Sequence, residues 1–404
     1  MSRLSGKVTI GLPGVYNDLY VENVTYGELL VEADGRTFLD ANQGISLLGE
    51  RNEIRDHFDF ETVGFAIRGD KFSFGFAHRI RYDAQIDYPK TLAQVIWQGN
   101  AQFIGQTVDI APIINVLGYH EFGFSAAYTF AEKLTIGGRL KYFSGISDAS
   151  TKEGSTLQLT TAEETYDLTL DQDYLVNSAG ALEYNGLDGV STEFEFASLD
   201  FNNFLGKNSG IGIDLGASLD LGKIRLQAAA LDLGAGIDWE EDVKNYTLTG
   251  QNSFTGLDVL QNLLDDTTSF DGLLDTLEMQ FEPTETSNGY RTDIGSQYMI
   301  GGEFDVTDRL TVGALAHYTD RQVDGDAGVV LSGRYKLLKS VIVGGTYSYR
   351  AESAANIGAN LTAQLGPVVL LLATDNVITA FQPKDSNRAN VRLGLSLSFG
   401  RDEE

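Results

Sequence analysis

Imidazoles, close carboxylates and stripes of basic side chains are the parts of this sequence that could do chemistry. The four histidines are His57, His78, His120 and His317. Nucleophilic catalysis needs a base held beside its nucleophile and oriented by a third group. These four are scattered, and no serine or carboxylate can be assigned beside His317, which residue alternation points inward. No catalytic residue is therefore assigned, and an enzyme is not expected. Cysteine is absent, which removes disulfides and thiolate metal sites. Asp171-Gln-Asp173 and Asp324-Gly-Asp326 bring carboxylates close together. Neither has the twelve-residue spacing of a calcium loop, so both read as solvated turns, and neither a metal nor a cofactor is expected. No glycine-rich phosphate loop follows a strand and opens a helix, which leaves nucleotide binding without support.

The basic stripes are more ordered. Arg79, Arg81, Arg139, Lys141, Arg225, Arg334, Lys336, Arg350 and Arg392 all fall on the polar side of alternating segments, with Glu121, Asp214 and Glu303 as counter-charges. Two readings follow: an ion-paired ladder that stiffens an enclosed interior, or a constriction that selects anions. The chain as a whole has a net charge of -28. Such a polyanion is a poor partner for nucleic acid, because affinity for phosphates comes from Lys and Arg. The acidity reads chiefly as a solvated surface, with cation binding as the alternative.

The elements that carry these residues show period two. From Tyr119 to Phe130, Phe122, Phe124, Ala126, Tyr128 and Phe130 alternate with Glu121, Gly123, Ser125, Ala127 and Thr129. After Ala131-Glu-Lys133 the pattern resumes with Leu134, Ile136, Leu140 and Tyr142 against Thr135, Gly137, Arg139 and Lys141. Successive side chains of a strand point to opposite faces, so one face is greasy and the other polar or small. The motif recurs from Lys71, Gly210, Arg309, Gly328, Ser340 and Asn356 onwards. Phase breaks near Glu61–Thr62 and near Ala229 suggest β-bulges. Short turns at Gly69-Asp70, 131–133, Leu221-Gly222, Thr307-Asp308, Leu338-Lys339 and Gly366-Pro367 alternate with mainly longer connections at 83–107, 147–208, 238–295, 321–326, 351–354 and 377–388. Within the long connections, Leu257, Leu260, Leu264, Phe270, Leu273, Leu274 and Leu277 have helical spacing, with Thr255 or Ser269 as caps, and Pro89 to Trp97 also reads as a helix. Such helices would cover the mouth, or offer a gated entry or docking surface.

No run approaches the roughly 20 apolar residues of a spanning helix, and only helices or closed barrels satisfy their backbone in lipid. The expected fold is all-β: a transmembrane antiparallel β-barrel of about 14 strands (12–16), with short helices in long extracellular loops. Strands from Ile54 onwards number thirteen, and one within Lys7–Thr25 restores the usual even count. Residues 1–404 form one barrel: a 1–52 N-terminal segment partly in the lumen and including the first strand, barrel strands over 53–400, long extracellular loops at 147–208 and 238–295, and a periplasmic tail at 401–404. A soluble β-sandwich would alternate too, and the pattern of connections argues against it. The opening Met1-Ser-Arg-Leu-Ser-Gly6 has no signal-peptide pattern, so an exported chain is expected to be present here in mature or trimmed form.

Two resemblances bear on this fold. Leu393, Leu395, Leu397 and Phe399 share one face of the last strand, which resembles the assembly signal read by the barrel-assembly machinery, departing from it in the tail Gly400–Glu404. Ile10-Gly-Leu-Pro-Gly14, Tyr88-Pro-Lys90, Val95-Ile-Trp-Gln-Gly-Asn100, Leu134–Tyr142, Thr165–Thr169, Gly212–Gly216 and Thr374-Asp-Asn376 together resemble a Bacteroidota outer-membrane barrel family of unknown function. That family is similar to the fatty-acid-transporter-like and type IX secretion-associated barrels. The resemblance implies a barrel of about 14 strands and relatives that are hydrophobic-compound channels or envelope-machine subunits. It brings no catalytic residues.

Function is expected to be non-enzymatic: a subunit or scaffold of a cell-envelope complex whose extracellular loops meet surface partners. The alternative is a channel for small hydrophobic or anionic solutes, and an outer-membrane enzyme comes last. Expected partners are the lipid bilayer and lipopolysaccharide, the barrel-assembly machinery during biogenesis, and envelope or surface proteins, with no nucleic acid. The expected location is the bacterial outer membrane, N- and C-termini periplasmic.

Overall fold

The computed structural model describes residues 6–33, 36–180, 182–184, 190–192, 206–254, 282–320, 325–350 and 353–400. The wall begins with β1 (Val8–Val21), β2 (Arg51–Arg68), β3 (Phe72–Pro89), β4 (Ile113–Phe130) and β5 (Leu134–Thr151). It continues through β6 (Ser209–Asp220), β7 (Ile224–Leu233), β8 (Gln297–Asp305), β9 (Leu310–Thr319) and β10 (Asp326–Leu338). β11 (Val341–Arg350), β12 (Ser353–Leu365), β13 (Val368–Thr374) and β14 (Arg388–Phe399) complete it. Each strand pairs antiparallel with the next, and β14 returns to β1 from Val8↔Phe399 to Tyr20↔Arg388, closing a 14-strand barrel. Closure leaves the wall without an unpaired edge, the condition for a sheet in hydrocarbon.

The seam is fixed by charge as well as by backbone. Arg388 Nε donates to Asp18 Oδ1 at 2.8 Å, and Nη2 donates to Oδ2. Both residues are buried. Nearby, the Arg392 guanidinium lies over the Tyr16 ring, 4.6 Å from its centroid. At the short-turn end Lys7 N–H donates to Gly400 O at 3.2 Å, so both described chain ends share that end.

Alternation becomes a belt. Phe65, Phe74, Phe124, Leu140, Ile211, Leu215, Ile300, Leu331, Ile357, Leu372 and Leu395 are all exposed on the outer face. Aromatic side chains rim the belt: Tyr298, Tyr318, Tyr347 and Tyr349 toward the long-loop end, and Phe72, Phe130, Phe304, Tyr335 and Phe399 toward the short turns. Exposing this much apolar surface to water would be costly, and a band flanked by aromatic girdles is what a lipid-embedded barrel presents. The ten residues of β9, tilted by about 40°, rise about 25 Å, the height of such a band. β2, β3, β4 and β5 have 18 residues each. Their upper parts therefore stand well above it.

That tall side is extended by further strands of the same sheet. Leu168–Ala179 pairs along its length with Val243–Phe254; on its other side its first half, Leu168–Asp173, pairs with Thr156–Thr161 and its last residues join the end of β5. Gly236–Trp239 pairs with Tyr290–Asp293. Leu117, Tyr119, Phe143, Ala179, Ala235, Ile237, Trp239 and Val243 bury one another as an apolar roof over the barrel interior. Gly145 is required there, since a Cβ would come within 2.5 Å of the Trp239 ring.

All six short turns fall where alternation placed them. The connection expected at 83–107 lies instead at 90–112, because β3 runs on to Pro89. Above lipid the outer face no longer needs apolar side chains, and the alternation that marked the strand fades. For the same reason the connections at 147–208 and 238–295 contain strands that alternation did not reveal. The helix expected at Pro89 to Trp97 is α2 (Lys90–Gln98), with Pro89 as its N-cap; it packs near α1 (Ala41–Leu47). α1 is capped by Asp40, which accepts from Gln43 N–H at 3.0 Å. The helical spacing over Leu257–Leu277 lies outside the described residues. The bulge near Glu61–Thr62 is present between Glu61 and Val63. The one expected near Ala229 lies two residues on, where Leu231 and Asp232 are inserted opposite β6 and Asp232 takes φ 56°.

Candidate functional site: the barrel interior

The interior forms one cavity of about 1420 Å³, reaching from Gly6, Ser73, Thr135 and Ser218 at the short-turn end to Asp293, Asp320 and Asp326 at the long-loop end. Its character changes with height. Toward the short turns the lining side chains are small: Gly75, Ser125, Ala127, Gly137, Gly216 and Ala229. These are the inward partners of the belt residues, and they keep the wall thin.

Midway the lining is charged. Lys141, on β5, is buried with its Nζ 2.7 Å from Asp232, 3.0 Å from Asp214 and 3.8 Å from Glu121. Arg81 reaches Glu121 at 3.1 Å, and Arg139 lies 4.0 Å from the same carboxylate. Arg79 bridges Asp59 and Glu61, each at 3.3 Å. The network thus runs unbroken from β3 to β7, with each cation facing one or more carboxylates. Such pairing offsets the desolvation of charges held in a narrow space. On the opposite wall, Arg350 stands 3.8 Å from Asp375.

The roof holds a carboxylate that has no cation beside it among the described residues. Asp148 is fully buried and lines the cavity. It lies in the part of β5 above the apolar belt, and accepts from Tyr290 Oη at 2.8 Å, Ser150 Oγ at 2.9 Å and Thr292 Oγ1 at 2.9 Å. Trp239 Nε1 donates in turn to Thr292 Oγ1 at 3.1 Å. Burial outweighs these donors and pushes the Asp148 carboxyl up to about 6, while the Tyr290 hydroxyl is raised by burial and by Asp148.

Of the charged residues that alternation pointed inward, Arg79, Arg81, Arg139, Lys141, Glu121, Asp214, Arg350 and Arg392 line the cavity. Arg225, Arg334 and Glu303 form a separate cluster nearer the short turns, with Glu303 2.8 Å from Arg225 and 2.5 Å from Arg334. Lys336 is exposed at that end and does not line the cavity. Sequence reasoning missed Asp59, Glu61, Asp232 and Asp148, which complete the network and the roof. The nearest signals were the phase breaks beside the first three. His317 lines the cavity, packed over Gly328. Asp171 and Asp173 are exposed on one side of their strand. Leu393, Leu395 and Phe399 project from the outer face of β14.

Solved structures similar to the chain include the toluene transporter TodX of P. putida, at 10% identity and a TM-score of 0.45, covering 99% of this chain and 92% of that one. A FadL homologue of Pseudomonas aeruginosa gives 11% and 0.43, covering 97% and 89%. The CymD monoaromatic hydrocarbon channel gives 10% and 0.43, covering 99% and 91%. No curated protein matches the chain. A match over residues 3–375, most of the chain, shows that it belongs to the family described as "Family of unknown function (DUF5723)".

Proposed function

We propose that the chain is an outer-membrane channel that passes a small solute through a hydrated lumen, with its chain ends on the periplasmic side. The carrying observation is the cavity of about 1420 Å³ that runs most of the length of the barrel. Drug-sized ligand pockets measure roughly 300–1,000 Å³, so the interior exceeds what a single enclosed site requires. A barrel serving only as a scaffold has no need of it, and a lumen of this width can be filled by a plug or by side chains. Here the lower wall carries glycine, alanine and serine. The weight therefore moves from the scaffold role to conduction. The scaffold role keeps one supporting observation, the strands above the belt, whose face with Thr156, Gln158, Asp171, Asp173, Thr249 and Gln251 is polar and turned outward. The test is reconstitution of the detergent-purified protein in planar bilayers. Discrete conductance steps are expected. Silent bilayers, together with a protein partner that stays bound through purification, would overturn conduction in favour of the scaffold.

A further inference from the structure

We propose that the lumen selects small cations over anions. This rests on the channel reading and reverses the selectivity suggested by the inward arginines. Twelve carboxylates line the cavity against eight Arg and Lys side chains, an excess of four among the described residues. Spread through about 1420 Å³, that excess is a fixed negative charge of about 5 M, far above the roughly 0.1 M salt at which the Debye length is about 10 Å. Protonation of Asp148 would still leave about 3.5 M. The balance is therefore insensitive to any one group.

Position matters as much as number, because a basic group already faced by carboxylates presents little field to a passing anion. Lys141 faces three carboxylates, and Arg79 faces two. The separate Arg225 cluster adds no cationic excess, since Glu303 and Asp305 lie within 3.7 Å of Arg225 and Glu303 also holds Arg334. Among the described residues, carboxylates outnumber basic side chains at the outer mouth. Arg291 is shared between Asp293 at 2.9 Å and Asp238 at 3.2 Å, and Asp320 is exposed beside the cavity. Carboxylates lining a pore are how cation channels concentrate their ion.

The measurement is the reversal potential of single channels of the full chain in a tenfold KCl gradient. Potassium should permeate at least about fivefold better than chloride, moving the potential toward the roughly 59 mV of ideal cation selectivity. Asp293→Lys combined with Asp320→Lys removes the excess of four from two exposed positions, and should bring the ratio to about one. An intact heat-dependent gel shift would show that this variant still folds. Conducting channels that prefer chloride, or a double variant with unchanged selectivity, would overturn the inference while leaving conduction standing. Absence of conductance would instead strike down the channel reading, and the inference with it.

Discussion

Replacing Lys141 by methionine tests whether the charge network holds the wall or merely decorates it. The ammonium is buried, with Asp232 at 2.7 Å, Asp214 at 3.0 Å and Glu121 at 3.8 Å. Glu121 keeps Arg81 when the lysine is lost. Asp214 and Asp232 have no other ion pair among the described residues and would face each other across the bulge of β7. Leaving buried charge uncompensated costs about 3–5 kcal/mol. At roughly 2 °C per kcal/mol for a large chain, the unfolding midpoint should drop by about 6–10 °C. The assay is heat modifiability: unboiled samples are warmed in steps and the fast-migrating folded band is quantified on SDS gels. Asp232→Asn added to Lys141→Met removes one of the stranded carboxylates and should recover at least about 1 kcal/mol of the loss, a coupling typical of groups in one network. A single variant within about 2 °C of the unmodified protein would refute the reasoning. So would a double variant whose losses simply add.

Three further outcomes are expected. The unmodified protein should change mobility on boiling in SDS, and extraction into aqueous buffer without detergent would contradict the apolar belt. Gly216→Trp should lower unitary conductance severalfold without loss of folding. A Cβ there meets only Ala228 O, at 3.7 Å, so the ring has the lumen to occupy, and unchanged conductance would show that solute does not pass Gly216. Asp148, raised from 3.8 to about 6, should make docking of the roof pH-dependent. Its contribution is complete below about pH 4 and is lost as pH rises through 6, about 3 kcal/mol in all; protection factors at Gly236–Trp239, taken against the base-catalysed intrinsic exchange rate, should therefore fall from pH 5 to 7.5, and Asp148→Asn should abolish that fall.

The belt region was legible because lipid imposes one rule on every strand: each second residue from Phe122 to Phe130 or from Leu134 to Leu140 must be acceptable to hydrocarbon. The short turns were legible for the same reason, since each interrupts a pattern that resumes at once. Strand ends above the belt were not. From Tyr82 to Pro89 and from Phe143 to Thr151 the outer face meets protein or water, and Ser144, Ser147, Asp148 and Ser150 do not alternate by polarity. The roof is illegible for a related reason. Trp239 and Phe143 are distant in sequence and meet only because Gly236–Trp239 turns back over the mouth.

The sign of the lumen charge shows how local such legibility is. Arg79, Arg81, Arg139 and Lys141 stood out as basic residues on otherwise small, polar faces. Their carboxylates were harder to place, because bulges decide where they point. Asp59 and Glu61 face inward with Arg81 and Arg79 only until the extra residue between Glu61 and Val63 resets the phase. Asp232 reaches Lys141 from the inserted position on β7, with its φ at 56°. A bulge re-aims a side chain at the cost of a break in the ladder, and here each break lies beside a carboxylate that meets an inward cation. Arg79, Arg81, Arg139 and Lys141 are therefore already matched, and at the long-loop mouth Asp293, which shares Arg291 with Asp238, and the exposed Asp320 shape the field that an entering ion would meet.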